Sequence, residues 1–156
     1  ELDYIKNYVA LMNLRFDYAI DLEMDIPLEL LGQRIPKVSL QPIVENAVIH
    51  GAAALAADSA ITLTGTFDRT GGRFAICVAD QGRGMGTEAL ERLRRQVAGE
   101  EPAQSKSGNG IGLKNVQDRI QMAYGPEYGL IVKSQPGGGT AVTVSFPFQE
   151  PTEGSP

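Results

Sequence analysis

Leu40-Gln41-Pro42-Ile43-Val44-Glu45-Asn46-Ala47-Val48-Ile49-His50-Gly51 reads as a helix whose two sides have different jobs. At about 100° per residue, Ile43, Val44, Ala47 and Val48 form one apolar side, whereas Asn46, Ile49 and His50 share the other, with Glu45 at its margin. Pro42 is tolerated because a first helical turn has no intrahelical N–H bond to lose. A carboxylate, an amide and the chain's single histidine on one face make a candidate site, although each alone is also an ordinary helix-surface residue.

Upstream of this helix, Leu2, Ile5, Val9, Met12 and Phe16 recur at steps of three and four, which predicts an amphipathic helix over 2–16 with a stripe that must pack on something. Tyr18, Ile20, Leu22, Met24 and Ile26 then alternate with polar neighbours, the period of a half-buried strand, until Pro27 ends it. Downstream, Ile61, Leu63 and Phe67 in one strand and Phe74, Ile76 and Val78 in the next predict a hairpin across Asp68–Gly72. Thr87 is the expected cap of a short helix carrying Leu90, Leu93 and Val97, and the small, polar Ala98–Asn109 stretch reads as a mobile loop. Leu113, Val116, Ile120 and Ala123 mark a third packed helix, stopped by Gly125 and Pro126. Strands near 129–134 and 140–148 turn at Gln135–Gly139, leaving Gln149–Pro156 as a loose tail. Hairpins with helices between them predict an α/β (α+β) two-layer sandwich, its mixed, largely antiparallel sheet carrying helices on one face.

Composition narrows the function classes. Of 156 residues, 42% are hydrophobic and 21% charged, which excludes wholesale disorder, collagen and coiled coil. Fourteen Lys and Arg against nineteen Asp and Glu leave a net charge of −5, so nucleic acid is not expected as a primary partner. Cys77 is the sole cysteine, which excludes a disulfide framework and fits a reducing compartment. No stretch reaches the roughly 18 uncharged apolar residues that a membrane span needs. The opening Glu-Leu-Asp-Tyr has neither a signal peptide nor an initiator Met, and is expected to belong to a cytosolic piece of a longer protein.

Two glycine clusters stand at helix and strand ends. Asp80-Gln81-Gly82-Arg83-Gly84-Met85-Gly86 follows a buried strand, and Gly108-Asn109-Gly110-Ile111-Gly112 leads into the third helix, where free N–H groups attract anions. Neither contains the Gly-Lys-Ser/Thr of a P-loop nor Gly-x-Gly-x-x-Gly, and isolated glycine clusters are more often turns.

The combination is more specific than its parts. The Asn46 helix, Asp80-Gln-Gly82-Arg-Gly84, Gly108-Asn-Gly110-Ile-Gly112-Leu-Lys-Asn and Gly139-Thr140 resemble, in order, the N, G1, G2 and terminal Gly-Thr boxes of the GHKL (Bergerat) ATP-binding fold. The Leu-Gln-Pro-Ile-Val-Glu-Asn-Ala stretch is most similar to that of LytS/YesM-type sensor histidine kinases, and the resemblance spans residues 2–147.

That resemblance implies a set of roles. Asn46 would ligate Mg²⁺ beside the ATP phosphates, and Asp80 would accept a hydrogen bond from the adenine amine, which guanine lacks. Gly82 and Gly84 would belong to the nucleotide site, Thr140 would lie near Asp80 and support adenine directly or through water, and Gly108, Gly110 and Gly112, with Ile111 and Leu113, would let the loop between the boxes close over phosphate. Asn46 would serve catalysis, and Glu45 beside it would orient a water or polarise the incoming His, the plain alternative being a solvated carboxylate. His50 would contact nucleotide and not accept phosphate, because family acceptors lie on an earlier helix in a His-Phe-x-Phe-Asn context absent here. Residues 1–16 would end a dimerisation and phosphoacceptor region, 17–148 would form the catalytic domain, and 149–156 the tail. The implied partners are ATP, the upstream domain and a response regulator, with a homodimer through the first helix, in the cytoplasmic part of a membrane-anchored sensor that this segment itself does not tie to the membrane.

Two departures bear on mechanism. Pro42 stands where hydrolytic relatives carry a general-base Glu, which favours transfer to an imidazole over hydrolysis. Ile49 stands where many kinases have Lys, leaving Arg83, Arg92, Arg94, Arg95 and Lys106 as substitutes for phosphate charge. The rival readings are an ATPase of the same fold and a nucleotide-sensing or docking module without transfer activity.

Overall fold

The period-two segments become strands of a single sheet: β1 (Ile20–Asp25), β2 (Ser59–Asp68), β3 (Arg73–Asp80), β4 (Gly129–Ser134) and β5 (Thr140–Pro147), in the order β1-β2-β3-β5-β4. β1 runs parallel to β2, Ile20 facing Ser59, and all other neighbours are antiparallel. A parallel pair needs a long crossover, and here it contains the Leu40–Gly51 helical stretch. The structure, a computed structural model, describes residues 1–102 and 109–150.

The helices are α1 (Leu2–Asn13), α2 (Leu28–Leu31), α3 (Gln41–Asn46), α4 (Ala53–Leu55), α5 (Thr87–Ala98) and α6 (Asn109–Tyr124). Between α3 and α4 the chain stays helical but widens into a π-helical turn, Ala47–Ala52. One face of the sheet, with Ile61, Leu63, Phe74, Ile76, Val78, Val142, Val144 and Phe146, is buried against Ile5, Val9, Ile43, Val44, Val48, Leu113, Val116 and Ile120 of the helices. The two-layer sandwich is therefore as expected.

Several local expectations change. Ile5 and Val9 are buried in the chain's own core and Leu2, Met12 and Phe16 pack partly against it, so the α1 stripe is largely covered intramolecularly. α1 stops at Asn13 and not Phe16, because the Asn13 amide bonds both the N–H and the C=O of Ile20 and bends the chain into β1. Gly86, not Thr87, caps α5, and no side-chain cap bond forms there. Ala123 is exposed, and its neighbour Tyr124 packs edge-on against Phe146 instead. Gln149 is tied at both its N–H and C=O to the Gln33 amide, so the tail is anchored at its start. The mobile-loop expectation falls for residues 103–108, and the loose-tail expectation for 151–156, outside the described residues.

β4 is an edge strand whose outward groups are occupied. Arg94 of α5 donates to the Val132 carbonyl at 2.7 and 3.1 Å, and the Gln117 carbonyl of α6 accepts the Leu130 N–H at 2.7 Å. At the opposite edge, β1 shows Asp21, Glu23 and Asp25 to solvent.

Candidate functional site

Asp80 ends β3 on the helix-covered face of the sheet, opposite Ile61. Its Oδ1 accepts the Gly82 N–H at 2.8 Å and the Thr140 N–H at 3.3 Å. Burial pushes the Asp80 carboxyl above the ordinary carboxylate range, and the two N–H donors oppose that shift in part. Among the described residues no donor reaches Oδ2, so half of the carboxylate remains available to a ligand amine.

The wall beside this carboxylate is bare backbone. A Cβ on Gly51 would fall on the Asp80 carboxyl, and one on Gly82 would fall 2.6 Å from the Gly51 Cα, so two glycines let the helix end meet the strand end. Gly139, at φ +70, leaves no room for a side chain against the Asp80 carbonyl. Behind it, Ser134 Oγ donates to the Gly139 carbonyl at 2.8 Å, lies 2.9 Å from Thr140 Oγ1, and accepts the Met85 N–H at 2.9 Å. Gly84 packs on the same turn, and the Gly137 N–H reaches the Arg83 carbonyl at 2.7 Å. A cavity of about 330 Å³ borders Asp80, Ser134 and Thr140.

A second cavity lies along α3. Of about 200 Å³, it is lined by Pro42, Glu45, Asn46, Ile49, His50, Gly112 and Leu113, bringing the N-box face to the start of α6. Asn46 and Glu45 are half-buried, and burial pulls the His50 pKa below its usual value, which keeps the imidazole neutral near pH 7. A larger cavity, about 580 Å³, sits at the β2–β3 hairpin around Thr66–Ala75, the opposite end of β3 from Asp80, and contains none of the predicted site residues.

The second glycine cluster differs from its expectation. Gly110 and Gly112 lie inside α6 and not in a loop, since the helix already begins at Asn109. Gly110 is buried because α5 passes so close that a Cβ there would lie 2.6 Å from Gln96 Oε1, while Gly112 faces Pro42. Leu113 is fully buried and Ile111 is 44% exposed. Gly108 and Lys106 fall outside the described residues.

Three of the arginines proposed as phosphate partners are already engaged: Arg92 with Glu88 at 3.2 Å, Arg94 with Glu91 at 2.6 Å and Arg95 with Glu101 at 2.7 Å. Ile49 is 49% exposed at the cavity rim.

Sequence reasoning missed Gly51, Ser134, Tyr4 and Gln41. A glycine inside a helical pattern is the one advance signal, since it costs stability unless close packing requires it. Gln41 Nε2 donates to Glu45 Oε1 at 2.9 Å and to the Tyr4 hydroxyl at 2.9 Å, and that hydroxyl lies 3.0 Å from the same Oε1.

The residues fit a nucleotide with a divalent ion better than a protein-caged metal. Among the described residues no group of three or more His, Cys, Asp or Glu side chains gathers to hold an ion. Asn46 supplies one neutral oxygen, which suits an ion that keeps its waters and takes phosphate oxygens. No helix of the described residues is long and apolar enough to cross a membrane.

Comparison with known proteins gives a consistent picture. Residues 36–150 match the family model of histidine kinase-, DNA gyrase B- and HSP90-like ATPases. The chain is 31% identical over 147 residues to the sensor histidine kinase YesM of Bacillus subtilis, covering 94% of this chain and 23% of that one. It is 32% identical over 148 residues to the sensor protein kinase HptS of Staphylococcus aureus, covering 95% and 27%. It thus spans about a quarter of the length of these relatives. The histidine kinase domain of the Erythrobacter litoralis EL346 blue-light activated histidine kinase shares the fold at a TM-score of 0.57 and 16% identity, over 94% of this chain and 60% of that one.

Proposed function

This chain belongs to the histidine kinase-, DNA gyrase B- and HSP90-like ATPase family, and from that membership we propose that it is the ATP-binding catalytic domain of a sensor histidine kinase. It would pass the ATP γ-phosphate to a histidine on an upstream helical region, for onward transfer to a response regulator. The observation that carries this reading is that the helical stretch bearing Glu45, Asn46 and His50 brings Gly51 against the Asp80 carboxyl.

Adenine sits at Asp80, where Oδ2 accepts the exocyclic amine and Thr140 and the Gly82 N–H hold Oδ1 still. Gly84 and the start of α6, with Gly110, Ile111, Gly112 and Leu113, border the nucleotide, and Gly108 belongs to the same run. Phosphate lies along Asn46 and His50, whose neutral ring can donate one hydrogen bond without adding charge. Asn46 would hold Mg²⁺, which would supply charge neutralisation on the phosphate oxygens.

Transfer then needs only positioning. The lone pair of one imidazole nitrogen attacks the γ-phosphorus, the bond from that phosphorus to the β-bridging oxygen breaks, ADP departs, and the proton on the second ring nitrogen is released. Glu45 would accept that second N–H, which turns the attacking nitrogen toward phosphorus. Pro42 leaves no carboxylate at the position from which hydrolytic relatives activate water, in favour of transfer. Residues 1–16 would be the end of the upstream region, 17–148 the catalytic domain and 149–156 a tail.

Radiolabelled ATP tests the reading. The chain alone should acquire no acid-labile phosphate, including at His50, while the upstream helical region supplied in trans should be labelled. Phosphohistidine at His50, or tight ATP binding with no label on the supplied helices, would overturn it; the second result favours a nucleotide-sensing module.

A further inference from the structure

We propose that Tyr4 and Gln41 are positioning residues for Glu45, fixing one carboxylate oxygen so that the other faces the reacting imidazole. This rests on the transfer reading above. Tyr4 and Gln41 lie 37 residues apart in the chain, on different helices, yet both bond Glu45 Oε1, at 3.0 and 2.9 Å. A carboxylate oxygen has two acceptor positions, so Oε1 is full, and among the described residues nothing occupies Oε2. Gln41 spends its two amide hydrogens on Tyr4 and Glu45, which closes a three-membered ring of hydrogen bonds. Glu45 meanwhile lines the same cavity as Asn46.

The two helices are braced so that this ring can hold its place. Glu1, ahead of α1, accepts the Ser39 and Leu40 N–H groups at 2.8 Å and that of Gln41 at 3.1 Å, covering the start of α3. From the other side Arg119 of α6 donates to the Lys37 and Val38 carbonyls at 3.1 and 2.7 Å. Between them Val38 takes φ 62, a conformation that a β-branched residue adopts only when its surroundings impose it. Ile5 and Val9 seat α1 in the core, and Tyr4 stacks on Tyr8 with ring centroids 6.2 Å apart.

Stability alone is a poor reason for the ring. Tyr4 is 42% exposed, and hydrogen bonds at such sites compete with water and contribute little to folding. What a ring of this kind does well is remove the rotamer freedom of a glutamate, and orientation of a reacting group is a large lever on rate.

The test is a double-mutant cycle on transfer from ATP to the upstream helical region, supplied in trans. Tyr4→Phe keeps the aromatic stack and removes one hydrogen bond, and should lower kcat about three- to tenfold with KM for ATP and melting temperature unchanged. Gln41→Leu should do the same. In a Glu45→Ala background, Tyr4→Phe should have no further effect, because its only route to the reaction has gone. Wild-type kcat in Tyr4→Phe, losses that multiply with that of Glu45→Ala, or a loss confined to KM or melting would each overturn the positioning role and leave the transfer reading intact. Wild-type protein that binds ATP but labels nothing would overturn both.

Discussion

Asp80 and Glu45 are carboxylates each held by one oxygen, and they differ in what does the holding. Asp80 is fixed by backbone N–H groups of Gly82 and Thr140, in a wall so close that Gly51 and Gly82 have no room for a Cβ. Glu45 is fixed by side chains, from its own helix and from α1. Backbone holders move only if the sheet moves. Side-chain holders follow α1, so the proposed base end at Asp80 is set by the sheet and the proposed reacting end at Glu45 by the seating of α1.

The strongest way to sharpen that contrast is to remove the proposed metal ligand. Asn46→Ala, or chelation of Mg²⁺, should reduce phosphotransfer on the order of a thousandfold, the several kcal/mol a metal gives to phosphoryl transfer, with little change in melting. Rapid-quench measurement at saturating ATP reads it, and a loss under tenfold would remove Asn46 from the reacting end.

Next comes Asp80→Ala. Loss of a charge-assisted hydrogen bond costs about 1.5–3 kcal/mol, so calorimetry should show ATP affinity down about ten- to a hundredfold and the ATP-over-GTP preference gone. Because the damage is at the base, saturating ATP should restore most of kcat. If kcat falls instead, the two ends are not separable.

Gly51→Ala probes the rigidity of the base end. The new methyl must displace the Asp80 carboxyl or part the helix from the strand, so thermal unfolding should show a loss of about 1–3 kcal/mol. An unchanged melting temperature would mean that this wall yields.

The smallest effect is on pH. Burial raises the Asp80 pKa above its ordinary 3.8, so the folded chain takes up this proton before the unfolded chain does. Without ligand, stability therefore falls as pH rises from 3.8 through the raised value, and Asp80→Asn should flatten that slope. ATP binding runs the other way, because it needs the carboxylate and weakens as pH drops through the raised pKa. A calorimetric pH series with identical profiles for wild type and Asp80→Asn would contradict both.

Local periodicity carries much of the fold. The alternation at Tyr18–Ile26, the hairpin residues Asp68–Gly72 and the stripe Leu113, Val116, Ile120 are legible in the amino-acid sequence, and they correspond to β1, the β2–β3 turn and the buried face of α6. The π-turn at Ala47–Ala52 is not legible there, since Ala47 and Val48 stay buried whether the turn is α or π. Contact across distance is equally hidden. Nothing local in Tyr4 announces Glu45, and nothing local in Gly51 announces Asp80 except that a helix tolerates a glycine. Gly110 misleads for a related reason: the same residue type that frees a loop also lets α5 and α6 touch.

The protected edge of β4 limits how this chain can meet others. With Arg94 on the Val132 carbonyl and Gln117 on the Leu130 N–H, an incoming strand finds two of its docking groups already taken. At the far side, a strand approaching β1 meets Asp21, Glu23 and Asp25, whose charges discourage stacking of like copies. Growth by sheet extension is thereby resisted at both margins. Arg94→Ala should expose the β4 margin first, with light scattering on warming as its earliest sign.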